Sequence, residues 1–292
     1  MRSDSSWAFL VGIVLNFSIV VVEAVFGLSA RSMALLADAG HNLGDVLGLV
    51  LAGGAAILAR RAPTQTRTYG LRKLTLVAAL ANGVLLLVAT GAIAAESIRR
   101  LAAPEPVAAA RVIAVAAVAV VVNGTSALLF LGGRDHDLNV KAAFLHLAGD
   151  AAIALGVVGS SFVILRTGYM WIDPTVSLLV AALILTSTWS LLRRSLDLVL
   201  DAVPEGIDVD GVRMFLAALP SVQEVHDLHI WAMSTTEVAL TAHLVMPSRA
   251  SEPSFLSQVC RELHDRFDID HATLQVDSVE APPCVLGRDE RV

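Results

Sequence analysis

The sequence predicts a polytopic α-helical membrane protein, with six transmembrane helices followed by a small C-terminal α/β domain, and three observations carry that expectation. Of 292 residues, 55% are hydrophobic and only 16% charged, against about 25% charged in an ordinary soluble domain. Six segments reach or approach the roughly 20 apolar residues that span a bilayer. After Pro204 the pattern changes to short amphipathic helices and alternating strands. The charge balance changes with it, from 15 Lys/Arg against 12 Asp/Glu through Val203 to 6 against 15 beyond. These shifts divide the chain into a transmembrane part at 1–203, an α/β domain at 204–281 and a terminal tail at 282–292.

The spans fall at 7–28, 33–59, 74–95, 112–133, 140–165 and 173–192. The run from Trp7 to Val22 has the outline of a signal peptide, but it continues through Glu23 to Leu28 at spanning length and reads as the first helix. The third and fourth spans hold 22 residues each without a charge. Pro63, Pro104 and Pro174 mark starts and stops in the short connections. The N-terminus, the 60–73 loop, the 134–141 loop and the exit at Arg193 and Arg194 hold ten Lys/Arg, and the opposite loops hold five. Cytoplasmic flanks are enriched in these residues, so both termini are expected in the cytoplasm. In the α/β domain a helix at 208–219 precedes a strand at 222–233. A turn at Ser234 to Thr236 leads to a strand at 237–246, then come a helix at 253–267 and a strand at 271–279. The expected product is an open sheet with helices on one face.

A net charge of −6 with no basic face argues against a nucleic-acid partner. Cys260 and Cys284 are the only cysteines, too few for a disulfide framework or a thiolate cage. A metal must therefore be held by nitrogen and oxygen.

The residues that offer this lie inside two apolar spans. The second contains Asp38-Ala-Gly-His41-Asn-Leu-Gly-Asp45 and the fifth His146-Leu-Ala-Gly-Asp150. Each carries His-x3-Asp, and four residues advance a helix by about 400°, so each imidazole sits one turn before its carboxylate on one face. Two such faces turned toward each other supply two imidazoles and two carboxylates, a full tetrahedral set for Zn²⁺. Ionisable groups at that depth are costly and call for a partner. Asp38 has two readings, an acceptor that fixes the His41 imidazole or a charge near the helix N-terminus. Asn16, Asn82 and Asn123 read as hydrogen-bonding residues between helices. Two other functions compete with transport on these residues: an intramembrane metal-dependent hydrolase, which needs an open coordination position and a general base, and a metal sensor that transports nothing. No His-Glu-x-x-His is present.

On three stretches the chain resembles the cation diffusion facilitator family. They are Ser32 through Asp45, Asn139 through Asp150, and His226-Asp-Leu-His229-Ile-Trp231. The resemblance implies a six-helix domain, a cytoplasmic ferredoxin-like domain, a homodimer, placement in the plasma (inner) membrane, and Zn²⁺/H⁺ antiport rather than enzyme catalysis. By position it implies a transport site at His41, Asp45, His146 and Asp150, with the two-His version tied to zinc preference. It also implies a regulatory zinc site at His226, His243 and Asp277, with Gln275 where some relatives have a further His, and a dimer-locking pair at Lys73 and Asp201. His243, Gln275 and Asp277 share one alternation parity, opposite the apolar faces of their strands. The Asp/His site that some relatives carry after the second helix is replaced here by Thr64, Arg67 and Leu71. Of the His-rich loop in many relatives only Asp135-His136-Asp137 remains.

Overall fold

The computed structural model describes residues 4–132, 138–247 and 253–278. Asp135, His136 and Asp137, the tail at 282–292 with Cys284, and the Asn16 side chain lie outside the described residues. In chain order the elements are α1 (Asp4–Ala30), α2 (Met33–Ala59), α3 (Leu74–Ala102), α4 (Ala109–Phe130), α5 (Leu138–Thr167), α6 (Ile172–Val199), α7 (Val209–Ala217), β1 (Glu224–Ala232), β2 (Val238–Met246), α8 (Pro253–Phe267) and β3 (His271–Ser278). Among the described residues α2 to α6 are each long and apolar enough to cross a bilayer, and Phe17–Ala30 adds the apolar second half of α1.

Five of the six expected spans lie within these helices, and the helices run past them where charged side chains support another turn. In α3, expected at 74–95, Glu96 pairs with Arg99 at 2.6 Å and with Arg100 at 2.9 Å. These are the spacings at which opposite charges stabilise a helix, and it continues to Ala102. In α6, expected at 173–192, the helix passes Arg193 and Arg194 and stops where Asp201 takes φ 61°. There Ala202 N donates to Asp197 O at 2.9 Å and Asp201 N to Leu198 O at 3.3 Å. That is the left-handed helix stop usually made by Gly; Asp tolerates it better than most residues. The fourth span, expected at 112–133, begins earlier, at Ala109, and is helical to Phe130.

The chain divides into two compact units, Met1–Leu51 with Ala81–Leu192, and Ala52–Leu80 with Arg193–Val292. In the first unit α4 packs along α5 and against α1. One apolar cluster joins Ala30, Leu35, Val112 and Val157, and a second joins Ala37, Val180 and Ile184 with Ile93 and Ile153. Ala37 precedes His41 by one turn and Ile153 follows Asp150 by nearly one, so the second cluster seats α2 and α5 beside the two motifs. Gly40, Gly44 and Gly48 recur every four residues along α2. A Cβ at Gly44 would overlap the Leu86 side chain, and one at Gly48 would come within 2.7 Å of Asn82 Nδ2. This ridge of small residues lets α3 approach α2 closely.

The start of α2 is held from far along the chain. Asp173, the second residue of α6, is buried, and its carboxylate accepts from Met33 N at 2.6 Å, Ala34 N at 3.4 Å and Ser32 Oγ at 2.5 Å. Ser32 Oγ in turn accepts from Leu35 N at 3.2 Å. The orphan amides of the helix N-terminus are thus satisfied by one residue of α2's own cap and one of α6.

In the second unit the sheet order is β1-β2-β3, with β1 antiparallel and β3 parallel to the central β2. Val212 and Leu216 of α7 and Val259 and Leu263 of α8 pack with Leu228, Ile230, Leu240 and Leu244, so both helices cover one sheet face as expected. The expected regular alternation of β1 is interrupted. The register shifts between His226 and His229, and Asp227 takes φ 54°. This bulge puts His226 opposite His243 and His229 opposite Thr241 on the uncovered face, a re-aiming of side chains typical of bulges.

Candidate metal sites

The two His-x3-Asp faces of the first unit come together. His41 Nε2 lies 3.8 Å from Asp45 Oδ2 and 3.5 Å from Asp150 Oδ1. His146 Nε2 lies 3.5 Å from Asp45 Oδ2 and 3.6 Å from Asp150 Oδ2. These contacts close a ring of alternating imidazole and carboxylate between α2 and α5. In a tetrahedron of ligands about 2.0–2.1 Å from a zinc ion, ligand atoms are separated by about 3.3–3.4 Å, so all four contacts are within half an ångström of what such an ion demands. The two rings stand edge to face with centroids 6.3 Å apart. Asp150 is buried, His41 and Asp45 are half-buried, and His146 is the exposed member. The site thus has a closed side at Asp150 and an accessible side at His146.

Asp38 fits neither expectation. It is buried, neither oxygen has a hydrogen-bond partner, and it lies beyond the first turn of α2. The His41 imidazole faces Asp45 and Asp150 instead. Asn82 Oδ1 is also unpartnered, and Asn123 is buried on α4.

The second cluster lies on the uncovered face of the sheet. His243 Nδ1 and Asp277 Oδ2 are 2.8 Å apart, and His226 Nε2 lies 3.7 Å from the same oxygen. The two rings are 5.1 Å apart, and one ligand atom from each of His226, His243 and Asp277 can be chosen so that all lie within 4.8 Å. Burial pushes the Asp277 carboxyl up. Hydrogen bonds from Gln275 and His243, with the charges of His243 and His226, outweigh it and hold the group below its ordinary value. Gln275 donates Nε2–H to Asp277 Oδ1 at 2.9 Å, so it orients the carboxylate where a His would offer a nitrogen. A further carboxylate meets the other nitrogen of the His243 ring. Asp227, turned by the bulge, brings Oδ2 to 3.6 Å from His243 Nε2 and Oδ1 to 3.0 Å from His229 Nε2.

Residues 9–200 match the family described as cation efflux transmembrane domain, and residues 204–279 match the cation efflux protein cytoplasmic domain. The chain belongs to the cation efflux, or cation diffusion facilitator, family. Zinc transporter ZitB of Escherichia coli is 36% identical over 91% of this chain and 84% of its own length. Metal cation efflux system protein CzcD of Cupriavidus metallidurans is 32% identical over 94% of this chain and 86% of its own. A cadmium, cobalt and zinc/H(+)-K(+) antiporter of Bacillus subtilis is 30% identical over 92% and 88%.

Within this cation efflux protein, Lys73 Nζ lies 2.6 Å from Asp201 Oδ1, both side chains exposed. Asp201 is the residue at the left-handed helix stop. Thr64 and Arg67 exchange backbone hydrogen bonds in a tight turn at 3.0 and 3.2 Å, and residues 60–73 contain no His, Asp or Glu. Two functional candidates were not flagged by the sequence. Asp173 carries no motif, and Glu23 on α1, fully buried and hydrogen-bonded by Asn42, stands alone in a run that reads only as the first helix. The signal that could have found Glu23 is a single acid at mid-span, which in a membrane helix is a functional residue by default.

Proposed function

We propose that this protein exports Zn²⁺ from the cytoplasm in exchange for protons, its site of His41, Asp45, His146 and Asp150 opening alternately to the two sides of the membrane. The observation that carries the reading is the closed His-Asp ring between α2 and α5. Two imidazoles and two carboxylates suit a borderline cation such as Zn²⁺ better than the harder Mg²⁺ or Mn²⁺. Relatives across almost the whole chain bear names of zinc transport and of metal/proton antiport.

The mechanism follows from charge. With both imidazoles neutral and both carboxylates ionised the four-residue set carries −2, which an apolar interior disfavours. Zn²⁺ neutralises it, and so do two protons. Ligands must be deprotonated to bind metal, so zinc loading releases protons and protonation expels zinc. Both loaded forms are neutral, which makes either crossing cheap. Within this reading both termini are cytoplasmic, and the Lys73–Asp201 pair and the cytoplasmic domain serve a homodimer. A regulatory zinc ion rests on His226, His243 and Asp277, with Asp227 beside them.

The test is zinc uptake into proteoliposomes with internal zinc and pH dyes, run with Zn²⁺, Cd²⁺, Mn²⁺, Co²⁺ and Fe²⁺. Zinc flux with opposed proton flux is expected. A folded, zinc-binding protein that moved no metal would leave the sensor reading, and peptide cleavage without flux would leave the hydrolase.

A further inference from the structure

Next to the four-residue site lies a second polar group that zinc coordination does not use. Glu23 of α1 is fully buried; Asn42 of α2 donates Nδ2–H to its Oε2 at 3.2 Å, and its Oε1 has no hydrogen-bond partner. Asp38, one turn before Asn42 on α2, is 1% exposed, and neither of its oxygens has a partner. Neither carboxylate makes a hydrogen bond or ion pair with His41, Asp45, His146 or Asp150 among the described residues; those four face one another at 3.5–3.8 Å, where Asp45 Oδ2 also has no hydrogen-bond partner. Three unpartnered carboxylate oxygens buried in an apolar helix bundle demand a cation.

We propose that Glu23 and Asp38 form a counter-cation site, which holds a proton while the zinc site is empty and releases it when zinc binds. This deepens the antiport reading and rests on zinc occupying the His-Asp ring. The donor set selects the proton. A metal cation held by oxygen takes about six or more ligands, and this group offers two carboxylates and one amide. A proton needs only one of the orphan oxygens.

Electrostatics ties the two sites together. The pair lies beside the ring: Asp38 is about one turn before His41 on α2, and Asn42, which holds Glu23, directly follows His41. A divalent ion in the ring cancels the charge of its two carboxylates, which lets the pair ionise and sends the proton to the aqueous side to which the site is open. By linkage, protonation of the pair weakens zinc binding by the same factor. The balance at the pair is one O–H bond broken and one proton released for each Zn²⁺ bound at the ring, in addition to the protons the ring itself gives up.

The experiment titrates the full-length protein in detergent with ZnCl₂ in unbuffered solution and records zinc bound and protons released together. Glu23→Gln with Asp38→Asn keeps the side-chain volumes, and Gln can still accept from Asn42. The double variant should bind the same number of zinc ions and release about one proton fewer per zinc than the wild type. Equal proton release at equal zinc stoichiometry overturns the proposal. If K⁺ weakens zinc binding in the wild type but not in the double variant, the site takes an alkali cation and the proton is overturned. A single variant that unfolds at the wild-type temperature yet binds no zinc makes that carboxylate a zinc ligand, which also overturns it. Undiminished zinc binding and proton release at the membrane site in His41→Ala would overturn the underlying zinc reading, and this proposal with it.

Discussion

Asp150 touches both imidazoles of the membrane site and is the buried member of the four, so it should be the least replaceable. Asp150→Asn keeps its shape but removes a negative charge from a set that needs two. Zinc affinity should fall more than the roughly 100-fold seen for lost outer partners of a metal site, and flux should vanish in proteoliposomes. His41→Asp should instead keep transport and flatten the ranking, because it exchanges a borderline nitrogen for a hard oxygen and adds a charge; competition of Zn²⁺ with Mn²⁺ and Fe²⁺ measures this. Unchanged ranking in a transporting His41→Asp protein would remove His41 from the ligand set. These four residues were legible in sequence because His-x3-Asp is a local spacing that one helical turn converts into a shared face. Glu23 and Asp173 were not, because their meaning lies in partners 19 and 140 residues away.

At the scale of elements, apolar length alone located the helices, and it failed at the ends where Glu96, Arg99 and Arg100 extend α3 and where Asp201 ends α6. Tight approach was equally hidden. The glycine ridge of α2 acquires significance only once Leu86 and Asn82 are seen against it. Gly44→Val should therefore destabilise the helix pair by about 1–3 kcal/mol, as overpacking does, and weaken zinc binding by shifting α2; thermal unfolding in detergent reads the first effect and zinc titration the second. The cap supplied by Asp173 makes a separate prediction. Asp173→Ala strands the amides of Met33 and Ala34 in a buried setting and should cost about 1–2 kcal/mol or somewhat more. Asp173→Asn, whose carbonyl can still accept, should recover part of that loss. The β1 bulge was unreadable, since one extra residue leaves the alternation before and after it intact.

For the molecule as a whole, the lysine and arginine asymmetry predicts sidedness. Cysteines placed at Thr68 and Gly168 and labelled from outside intact cells should react only at 168; labelling at Thr68→Cys alone would invert the topology. The division of labour between the two clusters is the larger question, and the second unit contains the contacts that bear on it. His226 and His243 stand on β1 and β2. The turn joining those strands reaches the start of α3, where Thr235 N donates to Thr75 Oγ1 at 3.1 Å and Glu237 meets Arg72 at 3.0 Å. A cation drawing β1 and β2 together would thus act on α3 through this turn. The Arg72–Glu237 pair is more than a third exposed on each side, too solvated to contribute much stability, so its removal should leave the fold intact and change only the coupling. His226→Ala with His243→Ala is expected to leave maximal zinc flux within a few-fold of wild type and to shift its dependence on cytoplasmic zinc, as a coupling of about 1–3 kcal/mol would. Glu237→Gln should blunt the same shift while the cluster on the sheet still binds zinc. If the double His variant assembled normally but lost all flux, the cluster would belong to the conduction path. If Glu237→Gln changed nothing, the turn would not be the link between them.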